Sequence, residues 1–527
     1  MMKKLFFFTF LCCSLVMNSQ ILPSPTQVDV HNGVFALKNN CVISYESTGA
    51  QTANYLISQL KRSTGFDFKI KTKSIKKGIL FKIADTELNL GKEAYLLEVT
   101  PKLITITASS EVGMFYAVQS LLQLFPVEVF SSAKQSIKKW EVTCQIIIDQ
   151  PKYAFRSFML DSGRQFQSVE FIKRYLDFMA LLKMNVFHWH LTEGQGWRIE
   201  IKKYPLLTSV GSNVAKGKEQ NGFYTQEDIR DIVAYAKSKH ITVIPEIDVP
   251  GHSEAALTAY PEYTCFQKAP ESVMSFSSHL FCAGNENTYD FLENVLDEIC
   301  ELFPGEYIHL GGDEAPKKDW NRCEKCQNKI VVEGLHNSHD LQLYFSKRLA
   351  NYLKKKNKKV IFWGDVVYQE GTKLPDNVVV EWWNWRRHKD TALKNAIKRG
   401  HQVIAGSNYY SYLNFPVTPW SRYKENRTFD LKTIYEQNPS DLENPNALVL
   451  GMSASLWTDW HVQEHMIDRR VFPRIYALTE QMWHVGERLS FDDFYAQVKL
   501  KYKLLKILGI DYGPAMKTDV SDDFKWD

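Results

Sequence analysis

Hydrophobic and polar positions change rhythm twice along the chain. Behind Lys3 and Lys4, residues 5–16 form an apolar run. From 23 to about 150 the pattern is mixed, with a helical stretch around 55–60 and strand-like runs at 78–84 and 96–108. Pro101-Lys102 interrupts the second run as a hairpin turn would, and an apolar helix at 114–124 closes at Pro126. After Pro151, short buried strands alternate with amphipathic helices. The spacing predicts strands at 158–161, 185–191, 242–247, 307–311, 360–363, 378–382, 402–405 and 448–453. Helices are predicted at 169–182, 226–239, 289–302, 341–354, 391–398 and 468–483, with a further helical stretch near 491–508. Eight strands alternating with helices over a little more than 300 residues is the count of a (β/α)8 barrel. A doubly wound sheet ranks second, because no glycine-rich nucleotide loop follows the first strand. The expected class is α/β: a TIM barrel at 151–490, preceded by a small α/β domain at 20–150 and followed by a helical extension at 491–527.

Composition narrows this. The chain has 527 residues, too long for one ordinary domain of about 100–200. Lys+Arg at 64 against Asp+Glu at 60 leaves a formal charge of +4, which argues against nucleic acid as a partner. A 44% hydrophobic content argues against disorder. Residues 1–19 read as a secretory signal: a charged start, then an apolar run too short to span a bilayer. No later run is long enough to span one, so the mature protein is expected to be exported, to the periplasm or outside the cell. Cys12 and Cys13 fall in the apolar run without a clear lipobox, which disfavours a lipid anchor. The remaining cysteines are Cys41, Cys144, Cys265, Cys282, Cys300, Cys323 and Cys326. Cys323 and Cys326 make one C-x-x-C. A zinc site needs four ligands and no second pair stands nearby in sequence, so a local disulfide or free thiols is the expectation. The aromatics are abundant, at 13 Trp, 25 Tyr and 31 Phe. Most belong to a core; flat rings at strand ends also suit the C–H faces of sugars.

A barrel concentrates its chemistry just after the C-terminal ends of its strands. Ionisable and aromatic residues gather there: Asp161 and Arg164, His190 and Glu193, Glu246, Asp248 and His252, Asp313 and Glu314, Trp363 and Asp365, Trp382 and Trp383, Tyr412 and Asn414, Trp457 and Asp459. A purely structural rim needs far fewer charges, so the pattern indicates an enzyme. In His309-Leu310-Gly311-Gly312-Asp313-Glu314 a strand ends in two glycines and two acids. Two carboxylates in one cleft raise each other's pKa, which suits a general acid. Ordinary glycosidases place two carboxyls about 5–9.5 Å apart across the scissile bond, and sequence neighbours are poorly placed for that. A substrate-assisted scheme suits them better.

The run at 309–314 resembles the signature of the glycoside hydrolase family 20 β-N-acetylhexosaminidases. The resemblance extends through Leu160-Asp161-Ser162-Gly163-Arg164, His188-Trp189-His190-Leu191-Thr192-Glu193, Glu246-Ile247-Asp248-Val249-Pro250-Gly251-His252 and Leu456-Trp457-Thr458-Asp459, in the family's order. It implies an oligosaccharide or glycoconjugate substrate with a terminal N-acetylhexosamine, and no metal or organic cofactor. It implies Glu314 as acid and base, Asp313 as orienter of the acetamide, and Tyr412 as donor to the acetamide oxygen. His252 and Glu193 would form a relay behind Glu314, Arg164 would hold sugar hydroxyls, and Trp363, Trp383 and Trp457 would wall the pocket; Trp382 and Trp385 go to the core. The sequence departs from the family at Gly194 for a second acid, at Asp459 for a common Glu and at Asn414 for a common Asp. A neutral residue at 414 would not repel an anionic group on the sugar's C6, so tolerance of 6-sulfated sugar is an expectation. Cys265 and Cys282 bracket a loop that is often disulfide-closed in the family. A disaccharide-releasing specificity stays open; a catalytically silent glycan-binding protein is opposed by the intact acids. Oligomeric state is not legible.

Overall fold

The computed structural model describes residues 20–521, apart from 47, 85–89, 138, 216–219, 274–278, 369–372, 384–390, 419–427, 438–447 and 460. The expected signal at 1–19 and Trp385 lie outside the described residues. The chain divides into two compact units. One holds the residues up to Asp149 together with Gly486–Ile507; the other holds Gln150–Val485 and the residues from Leu508 on.

The first unit is a seven-stranded sheet of β1 (Gln27–Ala36), β2 (Cys41–Tyr45), β3 (Phe68–Lys71), β4 (Gly78–Ile83), β5 (Tyr95–Val99), β6 (Leu103–Ala108) and β7 (Glu141–Asp149), in the order β1-β7-β5-β6-β4-β2-β3. The hairpin expected at Pro101 is the antiparallel pair β5–β6. The helix Glu111–Leu124 starts where the Ser110 hydroxyl accepts from the Gly113 N–H, and it buries Met114, Phe115, Val118, Leu121 and Leu122. β1 was not among the strands predicted from the sequence; this edge strand is exposed along most of its length, and only its Phe35 is buried. The C-terminal helix Phe491–Ile507 belongs to this unit, so 491–527 is not one extension. Its buried Phe494, Val498, Leu504 and Leu505 form the apolar face, and Lys501 Nζ donates to Gln123 Oε1 at 2.6 Å.

The second unit is a closed parallel barrel of β8 (Phe155–Asp161), β9 (Val186–His190), β10 (Thr242–Glu246), β11 (Tyr307–His309), β12 (Lys359–Trp363), β13 (Val378–Trp382), β14 (Gln402–Ala405) and β15 (Val449–Leu456), with β15 pairing back to β8. Every predicted barrel strand is present, with ends shifted by a few residues. The predicted helix at 468–483 is two, Glu464–Val471 and Ile475–Trp483. Pro473 falls between them, and its missing N–H and fixed ring stop a continuous helix. Phe155, Val186, Ile244, Ile361, Val379 and Ile404 pack as one apolar cluster. In the strand register Asp161, His190, Glu246 and His309 stand side by side. The barrel therefore turns from apolar to ionisable along its axis, towards the strands' C-terminal ends.

The cysteines correct the sequence reading. All seven described cysteines are free thiols, so Cys265 is not joined to Cys282. Cys265, Cys282, Cys323 and Cys326 instead converge on one point. The second pair that the sequence lacked beside Cys323-x-x-Cys326 comes from a loop brought back by the fold, which spacing along the chain cannot reveal.

Candidate active site

β11 delivers the chain to Gly311 and Gly312, both with positive φ, 60° and 93°. A Cβ on Gly311 would lie 1.8 Å from Asp248 Oδ1, and the Gly312 N–H donates to that same oxygen at 3.0 Å. Only glycine lets this loop run so close to a carboxyl. Glu314 follows at φ 41° and His252 faces it at φ 49°, both in a region that side chains other than glycine rarely adopt.

The two neighbouring acids meet different surroundings. Asp313 is buried and 3.5 Å from His252 Nε2, whereas the Glu314 side chain is 44% exposed and 3.9 Å from the same nitrogen. Burial pushes Asp313 up; His252 opposes this and the charge of Glu314 adds to it, leaving its pKa at about 6. Asp248 is pushed well above the carboxylate range by burial and by Asp313.

Behind this pair lies a chain of charges. His252 Nδ1 is 3.1 Å from Glu193 Oε1, and that oxygen is 2.5 Å from Arg164 Nη2. Arg164 Nη1 meets Asp161 at 2.8 Å. Burial disfavours the Glu193 carboxylate, yet Arg164 and His252 together hold it well below the usual range. Burial likewise works against the His252 cation, but Glu193 and Asp313 keep it charged well above neutrality. The relay expected behind Glu314 thus reaches Asp313 at shorter range than Glu314.

Aromatic side chains form the facing side. Trp363, Trp383 and Tyr412 belong to one buried cluster, with Trp457 packed against it. Trp383 and Tyr412 are nearly parallel, their ring centroids 6.4 Å apart. Trp457 touches Tyr412 and Trp363, at 6.0 and 5.8 Å between centroids, and carries the Arg164 guanidinium 5.0 Å from its ring. Asn414 Nδ2 donates to Asp459 Oδ1 at 2.9 Å, and Asp459 in turn interacts electrostatically with Arg164. All eleven residues singled out from the sequence are linked in this way at one end of the barrel. Trp382 is buried on β13, as expected of a core residue.

Besides Asp161, the acids Asp365, Asp248 and Glu246 were not assigned roles from the sequence. Asp365 accepts from Trp383 Nε1 at 2.7 Å and from the Glu314 N–H at 3.3 Å. It ties the aromatic side to the acid loop, and burial followed by the charge of Asp313 raises it to about 7. Asp248 holds Gly312 as described. Glu246 accepts from His188 at 2.8 Å, His190 at 2.5 Å and Trp363 at 2.8 Å. Their signal was present in the sequence as acids placed after strand ends.

A family model described as "Glycosyl hydrolase family 20, catalytic domain" matches residues 153–485, and one for domain 2 of the same family matches residues 18–150. The chain belongs to glycosyl hydrolase family 20. It is 36% identical to a beta-hexosaminidase of Porphyromonas gingivalis, over 97% of this chain and 68% of that protein. The crystal structure of a beta-N-acetylhexosaminidase from Bacteroides fragilis superposes with a TM-score of 0.88 at 47% identity, covering 96% of this chain and 99% of that one. The family 20 beta-N-acetylhexosaminidase of Streptomyces coelicolor superposes at 0.83 with 29% identity, covering 95% and 98%. This family 20 chain is a glycoside hydrolase. Its rim offers a half-exposed carboxyl, a buried carboxyl next to it and an aromatic wall, which together can protonate a leaving oxygen while steadying a positive charge.

Proposed function

We propose that the chain is an exo-acting β-N-acetylhexosaminidase, removing terminal β-linked N-acetylglucosamine or N-acetylgalactosamine by substrate-assisted retaining hydrolysis. One observation carries the reading: Asp313 and Glu314 are neighbours in sequence but not in surroundings, one buried against His252, the other 44% exposed. Such a pair serves one face of a sugar, so the nucleophile has to come from the substrate. The acetamide oxygen attacks the anomeric carbon as the bond to the leaving oxygen breaks, and Glu314 gives that oxygen its proton. The Asp313 carboxylate accepts the acetamide N–H and stabilises the oxazolinium cation. Glu314 then takes a proton from the water that attacks the anomeric carbon, restoring the acetamide. Tyr412 donates to the acetamide oxygen, and Trp363, Trp383 and Trp457 enclose the methyl group and the sugar face. Arg164, held by Asp161 and Glu193, presents its remaining N–H groups to sugar hydroxyls.

Asn414 and Asp459 bond to each other beside Arg164, and a neutral amide at 414 admits an anionic C6 substituent such as a 6-sulfate. The charged, apolar leader supports export to the periplasm or beyond. The activity is tested on a nitrophenyl β-N-acetylglucosaminide with wild type, Glu314→Gln and Asp313→Asn. Release of nitrophenol by wild type and its loss in both variants is expected. Inertness of wild type on every acetamido sugar, or wild-type rates in either variant, refutes the assignment.

A further inference from the structure

Cys282 Sγ lies 3.8 Å from Cys323 Sγ and 3.6 Å from Cys326 Sγ, and Cys265 Sγ lies 3.8 Å from Cys326 Sγ. Thiolates bound to one zinc ion at about 2.3 Å in a tetrahedron stand about 3.8 Å apart, edge by edge. Disulfide sulfurs would stand at about 2.05 Å. We propose that Cys265, Cys282, Cys323 and Cys326 form a structural zinc site.

The surrounding backbone is arranged as such sites require. Cys323 immediately precedes the helix Glu324–Val332, so Cys323-x-x-Cys326 presents both sulfurs from one helical turn, and the Gln327 N–H donates to the Cys323 carbonyl at 2.9 Å. Cys282 opens a tight turn closed by the Asn285 N–H on its own carbonyl at 3.1 Å. Within that turn a Cβ on Gly284 would come 2.3–2.4 Å from the backbone of Lys325 and Cys326, so only glycine lets the two segments meet. Three of the four cysteines are buried, and Cys265 is half-buried. Four soft thiolates without an oxygen or nitrogen donor select zinc over magnesium or calcium, and four protein ligands leave no open position, which marks a structural rather than a hydrolytic ion.

The site clasps two loops of the barrel. Cys265 and Cys282 belong to the segment that follows His252, where the Phe281 N–H donates to the Pro250 carbonyl at 3.0 Å. Cys323 and Cys326 belong to the segment that follows Glu314, where Trp320 Nε1 donates to the Phe281 carbonyl at 3.0 Å. Zinc here fastens the loop bearing His252 to the loop bearing Asp313 and Glu314.

The full-length enzyme, purified without chelators, is analysed by inductively coupled plasma mass spectrometry. About one zinc per chain is expected, together with its release, read by a metallochromic dye, when a mercurial titrates the thiols. Cys323→Ser with Cys326→Ser should lose the zinc and melt at a lower temperature. Because that variant could fail to fold, cobalt substitution of wild type gives a second reading: visible bands of tetrahedral thiolate coordination are expected. Zinc-free wild type refutes the site, whether the four thiols are unbound or non-reduced intact mass shows them joined in two disulfides.

Discussion

Glu246 and Asp313 are both buried carboxyls at the same end of one barrel, and their surroundings are opposite. Glu246 receives donors from His188, His190 and Trp363. Burial disfavours its charge, but His190 and the neighbouring histidines hold it well below the usual carboxylate range. His190 is kept charged by the same pairing, although burial alone would discharge it. Asp313 has His252 at 3.5 Å, and its other close ionisable neighbours are acids. Neither Asp313 Oδ1 nor Asp248 Oδ2 receives a hydrogen bond among the described residues. A carboxylate that already receives several buried donors belongs to a scaffold; a carboxyl poised near neutrality beside a half-exposed one has chemistry left to do.

This contrast breaks if the two acids respond alike to mutation. Glu314→Gln is expected to lower kcat/KM on the nitrophenyl glycoside by about 10²–10⁴-fold with the melting temperature little changed. Glu246→Ala should instead cost about 3–5 kcal/mol in denaturant unfolding, because it strands the buried His190 charge. A Glu246→Ala protein of wild-type stability would place that cluster outside the scaffold.

The pH profile also separates the two acids. In the proposed mechanism Asp313 must be ionised to stabilise a cation, and its pKa is raised to about 6. Protonation therefore disables the free enzyme as pH falls, and kcat/KM is expected to drop on the acid side of about pH 6. His252→Ala removes the cation that opposes burial, so the acid limb should move upward by about one pH unit, about 1.4 kcal/mol. A limb that stays in place would separate Asp313 from the titration. The smallest effect is expected at Asn414→Asp, which sets a second carboxylate against Asp459. It should lower kcat/KM on 6-sulfated relative to plain nitrophenyl N-acetylglucosaminide about fivefold, the size of a solvated repulsion of about 1 kcal/mol. An unchanged ratio would remove residue 414 from substrate selection.

Much of the barrel was legible because each strand is a short run buried on both faces and each helix has an amphipathic stripe, as at Val169–Leu181. The acids at the strand ends followed from that frame. Less legible were features set by contacts distant in sequence. β1 is an edge strand exposed along most of its length. The helix Phe491–Ile507 packs with residues more than three hundred positions earlier, as Lys501 on Gln123 shows. The four cysteines meet only because two loops fold back together. The role of Asp365 depends on Trp383 and the Glu314 N–H approaching it from separate segments.

In the proposed mechanism the substrate supplies its own nucleophile. This is tested most directly by kcat/KM on nitrophenyl glycosides whose N-acetyl group carries none, one, two or three fluorines. A steady fall is expected as each fluorine drains electrons from the amide oxygen. A rate independent of fluorination would contradict it.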